Sequence, residues 1–225
     1  ILSNGRKHPV PPLPDDIPTL GDIFQAAGYE TVHFGKRHDA GSLRGFDCAP
    51  IEEKEVEAIP GWPLNQDTYR DVCTTEQAVA YLKEPHETPF VMVADLINPH
   101  NICGYVGENV GSHEDIPVPG ELPPLPDNFE FTDLDKRPQA VQYICCSHRR
   151  LAQAAQWSAL NYRHYLAAYY HYVNRVDQQI GQILEALGNS DAADNTLIVF
   201  FSDHGDGMAA HRMVTKQVSF YEETT

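Results

Sequence analysis

Apolar residues repeat at helical spacing in three parts of the chain. The first repeat consists of Leu20, Ile23, Phe24 and Ala27. Thr19 precedes it as a suitable N-cap and Gly28 follows it as a helix stop, so we predict a helix over residues 20–27. Residues 162–187 carry a longer repeat with polar side chains on the opposite face, which predicts a long amphipathic helix. A further helix is predicted over residues 74–83.

Three other stretches have the pattern of strands. Residues 29–34 alternate between apolar and polar side chains, whereas residues 89–97 and 195–201 are nearly continuous apolar runs. Continuous runs of this length are typical of strands that are buried on both faces of a sheet. Because a helix precedes each strand, we predict an open α/β sheet covered by helices on both faces.

Two long stretches lack such periodicity. Residues 45–72 and 103–150 are predicted to be loops, and the second contains a cluster of prolines. We interpret 103–150 as a loop-rich insertion, and one of this length in a compact domain is usually functional or partly mobile.

Composition excludes several classes of function. The chain has 225 residues and a net charge of −16, from 16 basic and 32 acidic side chains. Such a surface repels nucleic acid, because phosphate binding requires clustered Lys and Arg. No apolar run approaches the roughly 18 residues of a membrane-spanning helix. The five cysteines have neither the even number of a disulfide framework nor a CxxC zinc pair.

The two ends of the sequence look cut. The chain opens on Ile1 rather than Met, and its last residues, 221–225, contain no closing element. We therefore expect a fragment truncated at both ends. No signal-peptide pattern is present.

Polar residues follow each predicted strand, at the sheet edge where α/β proteins bind ligands. Lys36 and His38 follow the first strand, His100 follows the second, and the pair Asp203 and His204 follows the third. A carboxylate next to an imidazole can share a divalent cation, although two ligands do not fill a site that takes about six. Taken singly, each cluster favours a capped or hydrogen-bonded turn or a solvated loop over a functional site.

In this order the clusters resemble the sulfatase family, within the alkaline-phosphatase-like superfamily. The resemblance covers residues 15–101 and 160–225. It rests on Thr19-Leu20, Ala27-Gly28-Tyr29-Glu30-Thr31, Gly35-Lys36-Arg37-His38, Asn98-Pro99-His100, Ser202-Asp203-His204-Gly205-Asp206, His211, Lys216 and Phe220-Tyr221-Glu222-Glu223.

The resemblance implies a mixed, mostly parallel α/β sheet sandwiched by helices, with one divalent cation at its edge. Calcium is the usual ion in this family, and Mg²⁺ or Mn²⁺ is the alternative. Asp203 and His204 would be two of the metal ligands. A formylglycine made from Cys or Ser in a Cys/Ser-x-Pro/Ala-x-Arg motif would be the nucleophile. The positions that match family contacts to the formylglycine or the sulfate are Lys36, His38, His100 and Lys216.

This sequence departs from the family pattern in two respects. Position 37 is Arg where an aromatic residue is common, and the nucleophile motif is absent from the 225 residues. Because residues 1–6 look like the stretch that follows that motif, we expect the nucleophile upstream. Residues 145–150 contain Cys-x-x-x-Arg twice, but they lack the Pro or Ala and follow two motifs that should come after the nucleophile.

Three hypotheses follow. The first is that residues 1–225 are part of the catalytic domain of a sulfatase that acts on a small-molecule or glycan sulfate ester, by resemblance an extracellular or periplasmic enzyme. The second is a phosphodiester or phosphonate monoester hydrolase of the same superfamily. The third is a catalytically silent fragment that binds metal or sulfate. The sequence leaves the oligomeric state open.

Overall fold

The computed structural model describes residues 11–37, 40–50, 66–108, 120–131, 133–216, 218, 221 and 224, with backbone alone at 66–69 and 108. These residues form two compact units. We name the described parts of 1–55, 68–97 and 178–196 the sheet unit, and those of 56–67, 98–177 and 197–225 the helical unit.

The sheet unit contains three strands, all parallel. They are β1 (Glu30–Gly35), β2 (Asp47–Cys48) and β3 (Phe90–Asp95), and β1 lies between the other two. Val32 of β1 is in register with Asp47 of β2 and with Met92 of β3. Since the strands are parallel, the carboxyl ends of β1 and β3 meet at one edge. This confirms the predicted α/β class and the first two predicted strands.

Helix α1 (Leu20–Ala26) confirms the first predicted helix. The Thr19 hydroxyl accepts a hydrogen bond from the Asp22 amide at 3.1 Å, and the Asp22 carboxylate accepts one from the Thr19 amide at 2.9 Å. This reciprocal capping box satisfies two amides that the first turn leaves unpaired. The chain leaves the helix at Gly28, whose φ of +86° suits glycine.

The remaining helices run over longer or different ranges than the sequence predicted. They are α2 (Gln66–Lys83), α3 (Ile102–Glu108), α4 (Gln139–Ser147), α5 (Arg149–Ala154) and α6 (Ala159–Gly188), with short 3₁₀ turns at Leu134–Lys136, Ala193–Asn195 and Ala210–Arg212. Helix α6 confirms the long predicted helix, and α2 begins eight residues before the predicted 74–83. Among the described residues, no helix combines the length and apolar character needed to cross a bilayer.

Each unit has its own apolar core. In the sheet unit, Val32 and Phe34 point to the same side of β1 and pack with Ala78 of α2 and Ile183 of α6. In the helical unit the core is rich in aromatic residues, chiefly from α3 and α6, and α5 adds Leu151 and Ala154. The largest fully buried members of this core are Tyr105, Tyr162 and Tyr165.

The expectation of a loop over 103–150 is wrong for much of that stretch. Helix α4 and one 3₁₀ turn lie within it, α3 overlaps its start and α5 overlaps its end. The helices flank the proline-rich part of the sequence, and Pro138 occupies the N-cap position of α4, where a missing amide hydrogen costs nothing. The prolines at 123, 124 and 126 lie in the irregular segment 120–131, so proline content located the break between α3 and α4 but not the helices beside it.

The predicted strand over 195–201 is also wrong for the described part of the chain. No described strand pairs with it, and the side chains of residues 197–201 are 58–87% exposed. The side chains of β3 are also only partly buried, rather than buried on both faces. An apolar run shows that a segment favours burial, but it does not identify what covers it.

Candidate active site

The carboxyl ends of β1 and β3 are held together at Gly35. Its φ is +109°, and a Cβ atom there would lie 2.2 Å from the carbonyl oxygen of Asp95. The next amide, that of Lys36, donates to the same oxygen at 3.0 Å. Lys36 is thus a partly buried residue at the predicted edge of the sheet unit, whereas His38 lies outside the described residues.

Arg37, which replaces the aromatic residue expected there, is directed to the chain after β2. Its guanidinium donates to the carbonyl oxygen of Ala49 at 2.6 Å. The substitution therefore supplies a link between β1 and the segment that follows β2.

His100 lies where the chain enters α3 of the helical unit. Its carbonyl oxygen accepts a hydrogen bond from the Cys103 amide at 2.9 Å, which fixes its backbone in the first turn, and its side chain is partly buried.

The side chains of Asp203 and His204, the predicted metal-binding pair, are in contact. The Asp203 Oδ2 and the His204 Nε2 are 3.4 Å apart. The His204 Nδ1 lies 2.8 Å from the carbonyl oxygen of Gly205, which can only accept a hydrogen bond. In the neutral ring Nδ1 therefore carries the hydrogen, and the Nε2 lone pair faces a carboxylate oxygen. Two acceptors that face each other need a proton or a cation between them.

The spacing of these two atoms fits a shared divalent cation. With both ligands about 2.4 Å from the metal, a 3.4 Å separation corresponds to an angle of about 90° at the ion, as for neighbouring ligands in six- or seven-fold coordination. The Asp203 side chain is 77% exposed, so its oxygens are open to an incoming ion. In the part of the chain that the structure describes, no third His, Cys, Asp or Glu completes the site.

The sequence analysis quoted Asp206 within a motif but did not select it as a site residue. Asp206 is buried, and its Oδ1 accepts hydrogen bonds from the Tyr165 hydroxyl and from the amides of Met208 and Thr215, the latter two at 3.1 and 3.2 Å. Burial raises the pKa of the Tyr165 phenol well above its ordinary value, so the phenol keeps its proton and donates it. The same burial raises the pKa of the Asp206 carboxyl.

Asp206 organises the loop that runs from the Asp203–His204 pair to Lys216. The Gly207 amide donates to the Thr215 carbonyl at 2.9 Å, which closes the loop directly before Lys216. A Cβ atom at Gly207 would lie 2.9 Å from the Met213 carbonyl oxygen, so the loop closes only around a glycine. The sequence pattern that could have indicated this turn is Gly205-Asp206-Gly207, a charged residue between two glycines.

Comparison with known proteins identifies the family. The family model for sulfatases matches residues 2–225. The chain belongs to the sulfatase family. This confirms the resemblance inferred from the motifs and, with the parallel sheet, the alkaline-phosphatase-like fold class.

Two relatives of this sulfatase chain are especially similar. A Delta 4,5-hexuronate-2-O-sulfatase of Bacteroides thetaiotaomicron is 52% identical over 226 residues, which cover all of this chain and 47% of the relative. A solved structure of a 2-O GAG sulfatase is 53% identical with a TM-score of 0.92, over 99% of this chain and 48% of that one. The chain thus spans about half the length of these relatives.

A third protein shares the fold alone. The phosphonate monoester hydrolase of Agrobacterium radiobacter has a TM-score of 0.61 at 20% identity, over 95% of this chain and 52% of that one. This likeness does not favour a phosphonate substrate for the sulfatase chain.

The cysteine pair that superficially matched a maturation motif lies in α4. Burial raises the pKa of the Cys145 thiol, with a smaller effect from Cys146. A raised pKa disfavours the thiolate, the form in which a cysteine acts directly as a nucleophile.

Proposed function

We propose that the complete gene product hydrolyses sulfate monoesters and that its substrate is a 2-O-sulfated hexuronate of a glycosaminoglycan. The observation that carries the proposal is the 52% identity to a Delta 4,5-hexuronate-2-O-sulfatase over this entire chain. The contact between Asp203 and His204 supports it, because the two side chains present a cation site of the kind that a sulfatase needs.

Sulfatases generally use a divalent cation and a formylglycine, which together polarise the sulfate and supply the oxygen nucleophile. In the proposed site Asp203 and His204 bind the cation, with calcium as the expected ion. The hydrogen bond from His204 to Gly205 orients the ring so that Nε2 is available for the metal.

The proposed roles of the other residues follow from their charges. Lys36 and Lys216 bind the sulfate oxygens, where a fixed ammonium group stabilises the charge that develops in the transition state. His38 and His100 contact the sulfate or donate a proton to the departing sugar oxygen, a contribution typically worth about 10²–10⁴ in rate.

The experiment compares substrates with the complete gene product. Its kcat/KM for an unsaturated hexuronate 2-sulfate disaccharide should exceed, by about 100-fold or more, that for an isomer sulfated on the amino sugar. An aryl phosphodiester tests the second hypothesis, a phosphodiester or phosphonate monoester hydrolase. Faster turnover of this diester than of the matched aryl sulfate would contradict the proposal.

A variant tests the proposed metal site. Asp203→Ala should remove the bound calcium, measured by elemental analysis, and should abolish turnover, because water cannot replace the charge of the carboxylate. Asp135→Ala removes an exposed carboxylate of the same unit and should leave both unchanged. Full calcium occupancy in Asp203→Ala would show that Asp203 is only a turn residue.

A further inference from the structure

A cavity of about 250 Å³ in the helical unit is lined by Gly107, His148, Arg149 and Arg150. Gly107 belongs to α3, and the two arginines begin α5. This basic cavity is unexpected in a chain that has twice as many acidic as basic side chains.

The two guanidinium groups of the basic cavity have no carboxylate partner among the described residues. The Arg150 Nε donates to the Cys103 carbonyl oxygen at 3.0 Å, which holds the group in place but does not neutralise it. Three other arginines do pair with carboxylates: Arg44 with Asp15 and Asp22, Arg137 with Asp133, and Arg212 with Glu130.

The positive charge of the cavity comes from the arginines and not from the histidine. Burial lowers the pKa of the His148 imidazole, and the nearby charge of Arg150 lowers it further. The Nδ1 of His148 is buried and has no hydrogen-bond partner in the described part of the chain. At neutral pH the His148 ring is therefore mainly uncharged, and it lines the cavity beside the two charged guanidinium groups.

Two hydrogen bonds to the backbone link the basic cavity to a residue of the candidate active site. Cys103, whose carbonyl oxygen holds Arg150, donates its amide to the carbonyl oxygen of His100 at 2.9 Å. A single turn of α3 therefore connects Arg150 with His100.

We propose that the basic cavity binds a second acidic group of the sulfated glycan, a carboxylate or a further sulfate, while the scissile ester lies at the cation. The choice of ligand rests on the proposed function. Guanidinium groups bind such planar or tetrahedral oxyanions through paired hydrogen bonds, and two arginines without a carboxylate partner among the described residues supply several donors to one cavity.

The test measures binding of the second acidic group independently of binding of the scissile sulfate. In the complete gene product, replacing both Arg149 and Arg150 by Gln should raise KM about 10- to 100-fold for a 2-sulfated hexuronate disaccharide, with kcat within about twofold. The KM for 4-nitrophenyl sulfate, which has no second acidic group, should not change. Comparison of disaccharides with and without an additional sulfate distinguishes a sulfate ligand from the uronate carboxylate.

Two further variants control for charge and folding. Lys136→Gln removes one exposed positive charge of the same unit and should leave both KM values unchanged. Arg149→Gln alone leaves the Arg150–Cys103 contact intact and should still raise the disaccharide KM about threefold or more. Equal increases for the disaccharide and the aryl sulfate, or no increase in Arg149→Gln, would overturn the proposal.

A binding measurement distinguishes this inference from the proposed function. Calorimetric titration needs no turnover, and it uses two uronate disaccharides without the 2-sulfate, one unsulfated and one with a sulfate on the amino sugar. The double Gln variant should bind the tighter of the two at least about tenfold more weakly than the wild type does. If the wild type hydrolyses no sulfate ester, the proposed function fails while this comparison can still be made. Equal affinity in the variant, or no binding by the wild type, would overturn the inference.

Discussion

Two tyrosines of α6, one turn apart, make different contacts with the same loop. Both are fully buried. The Tyr165 hydroxyl donates to the Asp206 carboxylate, whereas the Tyr162 hydroxyl lies 2.5 Å from the Arg212 carbonyl oxygen and 2.7 Å from that of Ala154. The helical repeat predicted that both face the core, but spacing alone cannot show which polar group each hydroxyl meets. Asp206 and Arg212 both belong to the segment between His204 and Lys216. Only Tyr165 contacts Asp206, the carboxylate that holds this segment together.

This difference leads to a prediction at the residue scale. In the complete gene product, Tyr165→Phe should destabilise the fold by about 1–3 kcal/mol and weaken calcium binding about tenfold, because Asp206 loses a hydrogen-bond donor and the loop loosens. Tyr162→Phe should cost similar stability but leave calcium binding within about twofold. Thermal unfolding and calorimetric calcium titration measure the two quantities. Equal calcium affinities in the two variants would show that the Tyr165 contact is merely structural.

At the scale of elements, caps, stops and periodicity predicted the helices and strands that carry these patterns in their own residues. Helix α1 has its cap and stop in the sequence, and β1 and α6 have clear periodicity. The helices within 103–150 and the absence of a described strand at 195–201 were not predicted, for different reasons. In the first, prolines between helices masked short periodic segments. In the second, strand formation depends on a partner strand that a local pattern cannot supply.

The capping box of α1 gives a prediction at this scale. Thr19→Ala should lower the local stability of the first turn by about 1 kcal/mol, because the hydroxyl accepts from Asp22 and donates to the Arg44 carbonyl oxygen at 2.5 Å. Amide hydrogen exchange over residues 22–27 should become roughly fivefold faster. Thr19→Ser keeps the hydroxyl and should exchange at nearly the wild-type rate, and similar rates in all three proteins would contradict a stabilising cap.

At the scale of the whole molecule, the order of the motifs identified the family although each motif alone was weak. The sequence predicted that Asp203 and His204 act as a pair, and the structure places their side chains in contact. The tautomer set by Gly205, the Asp206 network and the basic cavity could not be predicted. The network and the cavity depend on residues far apart in the chain, such as Tyr165 with Asp206 or Cys103 with Arg150. The tautomer depends on the backbone conformation that brings the Gly205 carbonyl oxygen to the His204 ring.

The distribution of chemical groups over the whole molecule leads to the last prediction. The 225 residues contain no Cys/Ser-x-Pro/Ala-x-Arg motif, and in their described part Asp203 and His204 are not joined by a third ligand. The isolated chain should therefore show no turnover of 4-nitrophenyl sulfate, since loss of a covalent nucleophile costs many orders of magnitude. The complete gene product, assayed in parallel with added calcium, is the control. Calcium-dependent hydrolysis by the purified 225-residue chain, abolished by Asp203→Ala, would show that these residues already contain a sufficient nucleophile and metal site.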